Sequence, residues 1–129
     1  VNDKAVVLER DTPTNFNSYR YEVNLQNNFK KKNYNKNYEI VDWGKLKNTT
    51  LKLRLWKQGD TFQPLGMKGH QKISDFLINE KVDCIDKELQ SVLTANEKIV
   101  WVCGKRISNW VRITQRTNQI AVLSRNMVH

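Results

Sequence analysis

The chain is short of the residues that staple, coordinate or catalyse. Its two cysteines, Cys84 and Cys103, have no Cys-x-x-Cys spacing and give no metal framework. Of its two histidines, His70 is internal and His129 is terminal, and neither has a second His, Cys or carboxylate at ligand spacing, so no metal site is read. With one usable histidine and no nucleophile elbow, a Ser/His/Asp constellation is excluded as well. No apolar run approaches the roughly 18–20 residues of a membrane span, so no membrane partner is expected. The polar start Val1-Asn2-Asp3-Lys4 is followed by no apolar signal segment, and the cysteine usage agrees with a cytoplasmic setting. The first residue is Val1 rather than Met, which reads as a piece of a longer chain.

Acidic residues are also few. Thirteen Asp and Glu face 22 Lys and Arg, for a net charge of +9 over 129 residues. This balance favours an anionic partner, nucleic acid first and an acidic membrane surface second. An A/T-rich genome would also enrich Lys and Asn, so the distribution is more informative than the total. Residues 1–44 carry 7 basic and 6 acidic side chains, residues 45–78 carry 7 and 2, and residues 79–129 carry 8 and 5. The excess concentrates on the middle segment, which codon bias alone does not explain. At 39% apolar the chain can bury one compact core, and its aromatic and β-branched content argues against disorder.

That middle segment organises the chain. Residues 51–78 hold three of the five glycines and one of the two prolines, as an alternating strand, a Gly/Pro-punctuated loop and the start of a helix. Leu51, Leu53 and Leu55 alternate with Lys52, Arg54 and Lys57 around Trp56, which predicts a buried apolar face and an exposed basic one. Ile73, Phe76 and Leu77 form the apolar face of a short helix, with Ser74 or the preceding loop as cap. Elsewhere, residues 4–10 read as a short strand or a helix end, 11–15 as a turn, 19–25 and 38–43 as strands. Residues 27–37, with Lys30-Lys31-Lys32, read as an exposed loop whose lysines either touch phosphate or are simply solvated. Residues 83–89 continue as a helical turn or two, 92–103 as a hairpin, and 107–113 and 119–123 as strands with a turn at Thr117-Asn118. The expected class is α+β: about seven strands in antiparallel or mixed sheets, with one main helix on one face.

Candidate chemistry is sparse. Gly66-Met67-Lys68-Gly69 precedes the helix but matches neither a P-loop nor a dinucleotide fingerprint, and reads as a structural turn. Asp60 closes a turn after Gly59, and Asp75 sits in the first helical turn, where the dipole favours it. Neither is half of an acid/base pair. Trp56 beside Lys57 and Trp110 beside Arg112 are candidate stacking positions, whereas Trp101 inside Ile-Val-Trp-Val reads as core, as does Cys103. Arg54, Lys57, Lys68, Lys72, Lys105, Arg106 and Arg112 form one phosphate-binding patch if their elements are neighbours, and a scattered solvated surface otherwise.

Three segments resemble a known family. Leu53-Arg54, then Gly59-Asp60-Thr61-Phe62-Gln63-Pro64-Leu65-Gly66-Met67-Lys68-Gly69, then Lys72-Ile73-Ser74-Asp75-Phe76-Leu77 are similar to the signature of the C-terminal domain of bacterial tRNA(Ile)-lysidine synthases. Residues 99–107 are similar to that domain's second signature, and Val111-Arg112-Ile113-Thr114 with Thr117 to its closing segment. The resemblance covers residues 51–123, and the Leu-Arg-Leu-Trp-Lys variant is similar to members of a Bacteroidetes-like branch.

The resemblance implies a division at residue 44, with 1–44 an N-terminal β extension or linker and 45–129 the C-terminal domain. It implies a parent ligase that uses ATP with Mg to adenylate the wobble cytidine of an isoleucine tRNA and then joins lysine to it. That chemistry belongs to an N-terminal domain with a Ser-Gly-Gly-x-Asp-Ser loop, which this sequence does not contain, so this chain is expected to be non-catalytic and to hold no cofactor. It is expected to hold tRNA at the acceptor stem, with Arg54, Lys57, Lys68, Lys72, Lys105 and Arg106 on phosphates. A homodimer through the parent enzyme is compatible with the family. The domain is also similar to one in the phenylalanyl-tRNA synthetase β chain. Two departures stand out: residues 83–87 lack the Pro and Arg found there in many members, and His70-Gln71 replaces a common Lys or Ser. The alternative expectation is an interdomain or subunit-contact module without RNA contact, with Phe62, Leu65 and Met67 exposed as one patch.

Overall fold

A computed structural model describes residues 4–27 and 35–128. The described residues form two antiparallel sheets and a small two-stranded ribbon. The first sheet has the order β1 (Val6–Leu8), β5 (Leu51–Leu55), β8 (Ser91–Ala95), β9 (Lys98–Val102), β10 (Arg106–Ile107). The second has the order β2 (Thr14–Phe16), β3 (Tyr19–Gln26), β11 (Ile120–Met127), β4 (Tyr38–Asp42). The ribbon pairs β6 (Thr61–Phe62) with β7 (Gln71–Lys72). Helices are short: α1 is Ile73–Asn79 and α2 is Cys84–Glu88. The eleven strands among the described residues exceed the expected seven, because two- and three-residue strands leave no readable alternation.

Strand alternation decides where the core sits. Leu51 and Leu53 of β5, Leu93 of β8 and Trp101 of β9 face one way and meet Tyr21, Val23, Val41 and Leu123 of the second sheet. Val92 and Val102, paired across β8 and β9, face the other way and form a smaller cluster with Phe62, Ile73, Phe76 and Leu77. All five residues of β8 are buried, since this strand is covered on both faces. A seven-residue helix is too short to stand alone in water. Its apolar face holds α1 in place, each buried side chain contributing about 1.5–3 kcal/mol. Position 44/45, where a boundary was expected, lies inside a 3-10 turn over Trp43–Lys45, and strands from either side of it pair within both sheets.

Several elements differ from expectation for local reasons. Residues 107–113 are not one strand: β10 ends at Ile107 and a 3-10 turn spans Asn109–Val111. Hydrogen bonds pull the backbone out of the sheet there, since Ser108 Oγ and Trp110 Nε1 both donate to the Ile99 carbonyl at 2.7 Å. Ser74 does not cap α1; Lys72 holds the N-cap position without a side-chain bond, and Ile73 N–H donates to the Asp60 carbonyl at 3.0 Å. The expected turn begins at Arg10 and Asp11, where Thr12 N–H donates to Glu9 O at 3.2 Å, but Thr14 and Asn15 extend into β2, and a second turn follows at Asn17 and Ser18, with φ of 50° and 72°. Lys30, Lys31 and Lys32 lie outside the described residues.

Candidate nucleic-acid interface

The loop between β5 and α1 is tied down along its length. The Arg54 guanidinium makes a two-pronged bond to the Asp60 carboxylate, at 2.9 and 3.0 Å. Asp60 also accepts from the Lys57 backbone N–H at 2.8 Å, which closes the turn read from the sequence. Farther along, Leu65 N–H donates to Ile107 O at 3.0 Å, Asn109 N–H donates to Gln63 O at 2.7 Å, and Pro64 bridges Ser108. Gln63 Nε2 donates to Met67 O at 2.8 Å across the tip. Gly66 and Gly69, at φ 83° and 77°, take backbone conformations that side chains disfavour. The loop tip is thus a preformed platform.

Arg54 corrects the expected exposed basic face of β5. Its side chain is 11% exposed and belongs to the loop's internal scaffold. Alternation does place it opposite Leu53, but that second face is roofed by the loop and α1 rather than by solvent. Lys57, Lys68 and Lys72 are exposed. Arg106 reaches the loop tip from β10: Nη1 donates to the Met67 sulfur at 3.4 Å, and the guanidinium lies 5.5 Å from the Phe76 ring. Arg106 is thereby placed at Met67, the residue before Lys68, while Lys72 stands on the ribbon opposite Thr61. Lys105 does not join them. It lines a different cleft with Glu80, Asp86 and Arg125, where burial first and Arg125 second depress its ammonium pKa.

Two tryptophans sit at the surface with their rings fixed. Trp56 donates to Lys87 O at 2.6 Å, and Trp110 donates to Ile99 O at 2.7 Å with the Lys98 ammonium 4.5 Å from its ring centroid. Trp110 lines two open clefts. One, of about 400 Å³, runs to His70 and residues 59–63 of the loop. The other, of about 630 Å³, holds Lys45, Arg112 and Arg116. The sequence reading missed Lys45, Lys98 and Arg116 as neighbours, because no spacing links three positions that only the fold assembles.

Cys103 is fully buried and its thiol is pushed up to about 12, so it is held protonated, and burial also raises the Tyr21 phenol. Among the described residues, no group of three or more His, Cys, Asp or Glu is placed to hold a metal ion, and no helix is long and apolar enough to cross a membrane.

The family model of the TilS substrate C-terminal domain matches residues 51–123. The tRNA(Ile)-lysidine synthase of Parabacteroides distasonis is 40% identical over 90 residues, covering 70% of this chain and 20% of that protein. The tRNA(Ile)-lysidine synthase of Bacteroides thetaiotaomicron is 41% identical over 75 residues, covering 58% of this chain and 18% of that protein. The chain thus spans about a fifth of the length of these relatives. A crystal structure of a TILS C-terminal domain has the same fold, with a TM-score of 0.74 at 17% identity, over 96% of this chain and 92% of that one.

Proposed function

This chain belongs to the TilS substrate C-terminal domain family, and on that footing we propose that it holds tRNA for a tRNA(Ile)-lysidine synthase. In this reading the parent is a cytoplasmic, ATP- and Mg-dependent ligase that joins lysine to the wobble cytidine of an isoleucine tRNA. The chemistry lies in another domain, and this chain binds and orients the substrate at the acceptor stem. The observation that carries the reading is the preformed loop tip, where Arg106 contacts Met67, the residue before the exposed Lys68, with Lys72 on the adjoining ribbon. Cations at such positions neutralise phosphates and release counterions, setting register without reading bases. A platform already hydrogen-bonded spends little on ordering when it binds. Lys57, exposed where the loop begins, adds to the basic surface, Lys105 lies apart in its own cleft, and Arg54 acts through the loop it holds.

The test is tRNA affinity as a function of salt. Replacing Lys68, Lys72 and Arg106 together with Gln is expected to weaken binding and lower the salt slope by about one unit per lost phosphate contact. Unchanged affinity and slope defeat the assignment. Competition by an acceptor-stem minihelix, but not by an anticodon stem-loop, identifies the region held. Assembly as a homodimer through the parent belongs to the same reading and is checked by sedimentation of the full-length protein.

The alternative, a contact module for another domain or subunit, draws on the exposure of Leu65 (39%) and Met67 (43%). Phe62, the third residue of that expected patch, is instead 3% exposed and sits in the second core.

A further inference from the structure

Trp110 stands between four cations that have no acidic ion-pair partner among the described residues: Lys45, Lys98, Arg112 and Arg116. The carboxylate in their midst, Asp42, is 8% exposed and already accepts from Gly44 N–H at 2.9 Å and Thr117 Oγ1 at 3.1 Å. Arg112 is held in position, with Nη1 donating to Asn109 O at 3.0 Å. The indole is fixed by its bond to Ile99 O. The cleft therefore has rigid walls and unpaired positive charge at its rim.

We infer that the cleft lined by Lys45, Arg112 and Arg116 is a second seat for RNA backbone phosphate, distinct from the loop tip. The inference rests on the RNA-holding reading and extends it to a surface of which only Arg112 belonged to the basic patch read from the sequence. The shape suits a polyanion rather than a small ion: the cleft is open, about 630 Å³, and its cations are exposed on long side chains rather than gathered round an enclosed point. It is also continuous with the loop. Trp110 forms a shared wall with the cleft of about 400 Å³ that reaches His70 and residues 59–63, and Lys98 stands over that wall. A backbone leaving the loop tip passes Lys98 and arrives at Arg112 and Arg116.

The experiment compares three forms of this chain for binding a labelled isoleucine tRNA by fluorescence anisotropy, from about 50 to 200 mM salt. In the cleft variant, Lys45→Gln, Arg112→Gln and Arg116→Gln are combined. In the loop variant, Lys68→Gln, Lys72→Gln and Arg106→Gln are combined. In the charge-keeping variant, Arg112→Lys and Arg116→Lys are combined. The cleft variant is expected to lose roughly tenfold or more in affinity and about three units of salt slope, and the charge-keeping variant to retain its slope. Normal binding by the cleft variant with impaired binding by the loop variant overturns the inference and leaves the RNA-holding reading intact. Normal binding by both overturns the inference and that reading together. Loss by the cleft variant alone upholds the inference and moves the interface away from the loop tip. If the triple substitution lowers the melting temperature, Lys45→Gln alone serves, with an expected loss of about one unit of slope; no loss overturns the inference.

Discussion

Asp60 does three jobs at the foot of the loop: it pairs with Arg54, closes the turn on Lys57 N–H, and lends its carbonyl to the first residue of α1. Its side chain is 9% exposed, so Asp60→Ala leaves a mostly buried guanidinium without its carboxylate, at a cost of about 3–5 kcal/mol in urea unfolding. Adding Arg54→Met to that variant is expected to recover part of the loss but not all, since the turn on Lys57 stays open. The turn role of Asp60 was legible from Gly59-Asp60; the burial of Arg54 was not, because period two says which face a residue takes but not what covers that face. A second prediction concerns Gly104, at φ 76°, where an added Cβ would sit against the Arg125 guanidinium. Gly104→Ala is expected to cost about 1–2 kcal/mol and to displace Arg125 from the Tyr19 ring, 3.9 Å away, with less than additive loss in Gly104→Ala/Arg125→Ala. Cys103 supplies a pH dependence. Unfolded, its thiol titrates near 9.0; folded, burial holds the proton to about 12. Between these values the unfolded state binds fewer protons, so this group lowers stability as pH rises through the window and has no effect below it. Lys105, with its depressed ammonium, acts in the opposite sense. Denaturant midpoints should therefore fall less steeply above pH 9 in Cys103→Ala than in the parent chain.

The helix α1 was legible from its period, and the hairpin of β8 and β9 from two apolar, β-branched runs on either side of Asn96-Glu97, despite a register shift at Leu93/Thr94. The hairpin turn is two residues, Asn96 and Glu97, at φ 47° and 73°, the left-handed pair that matches strand twist. Asn96 is anchored to Thr50 by both its backbone and its side chain, while Glu97 is exposed and only 3.8 Å from Lys52 in a surface pair of little worth. Glu97→Gly is therefore expected to raise stability by about 0.5–1 kcal/mol in chemical denaturation. The 3-10 turn over Asn109–Val111 was not legible, because its cause is the Ile99 carbonyl, reached from another strand. The same turn places Trp110 between its two clefts, so the element misread as strand is the one that builds the second cationic surface.

At the scale of the molecule, charge concentration pointed to residues 45–78, and the fold spreads the surplus further, onto Lys98, Arg112 and Arg116. Arg112 was read from the chain as a candidate, but its company with Arg116 and Lys45 was not, since that depends on how the 109–116 segment folds back beside Lys45. The sheet content was legible, but the partition into two sheets was not, because strand pairing joins β1 to β5 and β11 to β3 across long sequence separations. One pairing has a further consequence. β11 lies between β3 and β4 and pairs with both, yet it follows both in the sequence. During synthesis β3 and β4 therefore leave the ribosome roughly 100 and 80 residues before the strand that joins them, and the loop-closure entropy of that separation falls on the folding barrier. The second sheet can assemble only after β11 emerges, in milliseconds to seconds rather than microseconds, and until then the edges of β3 and β4 stand open to aggregation or to a chaperone.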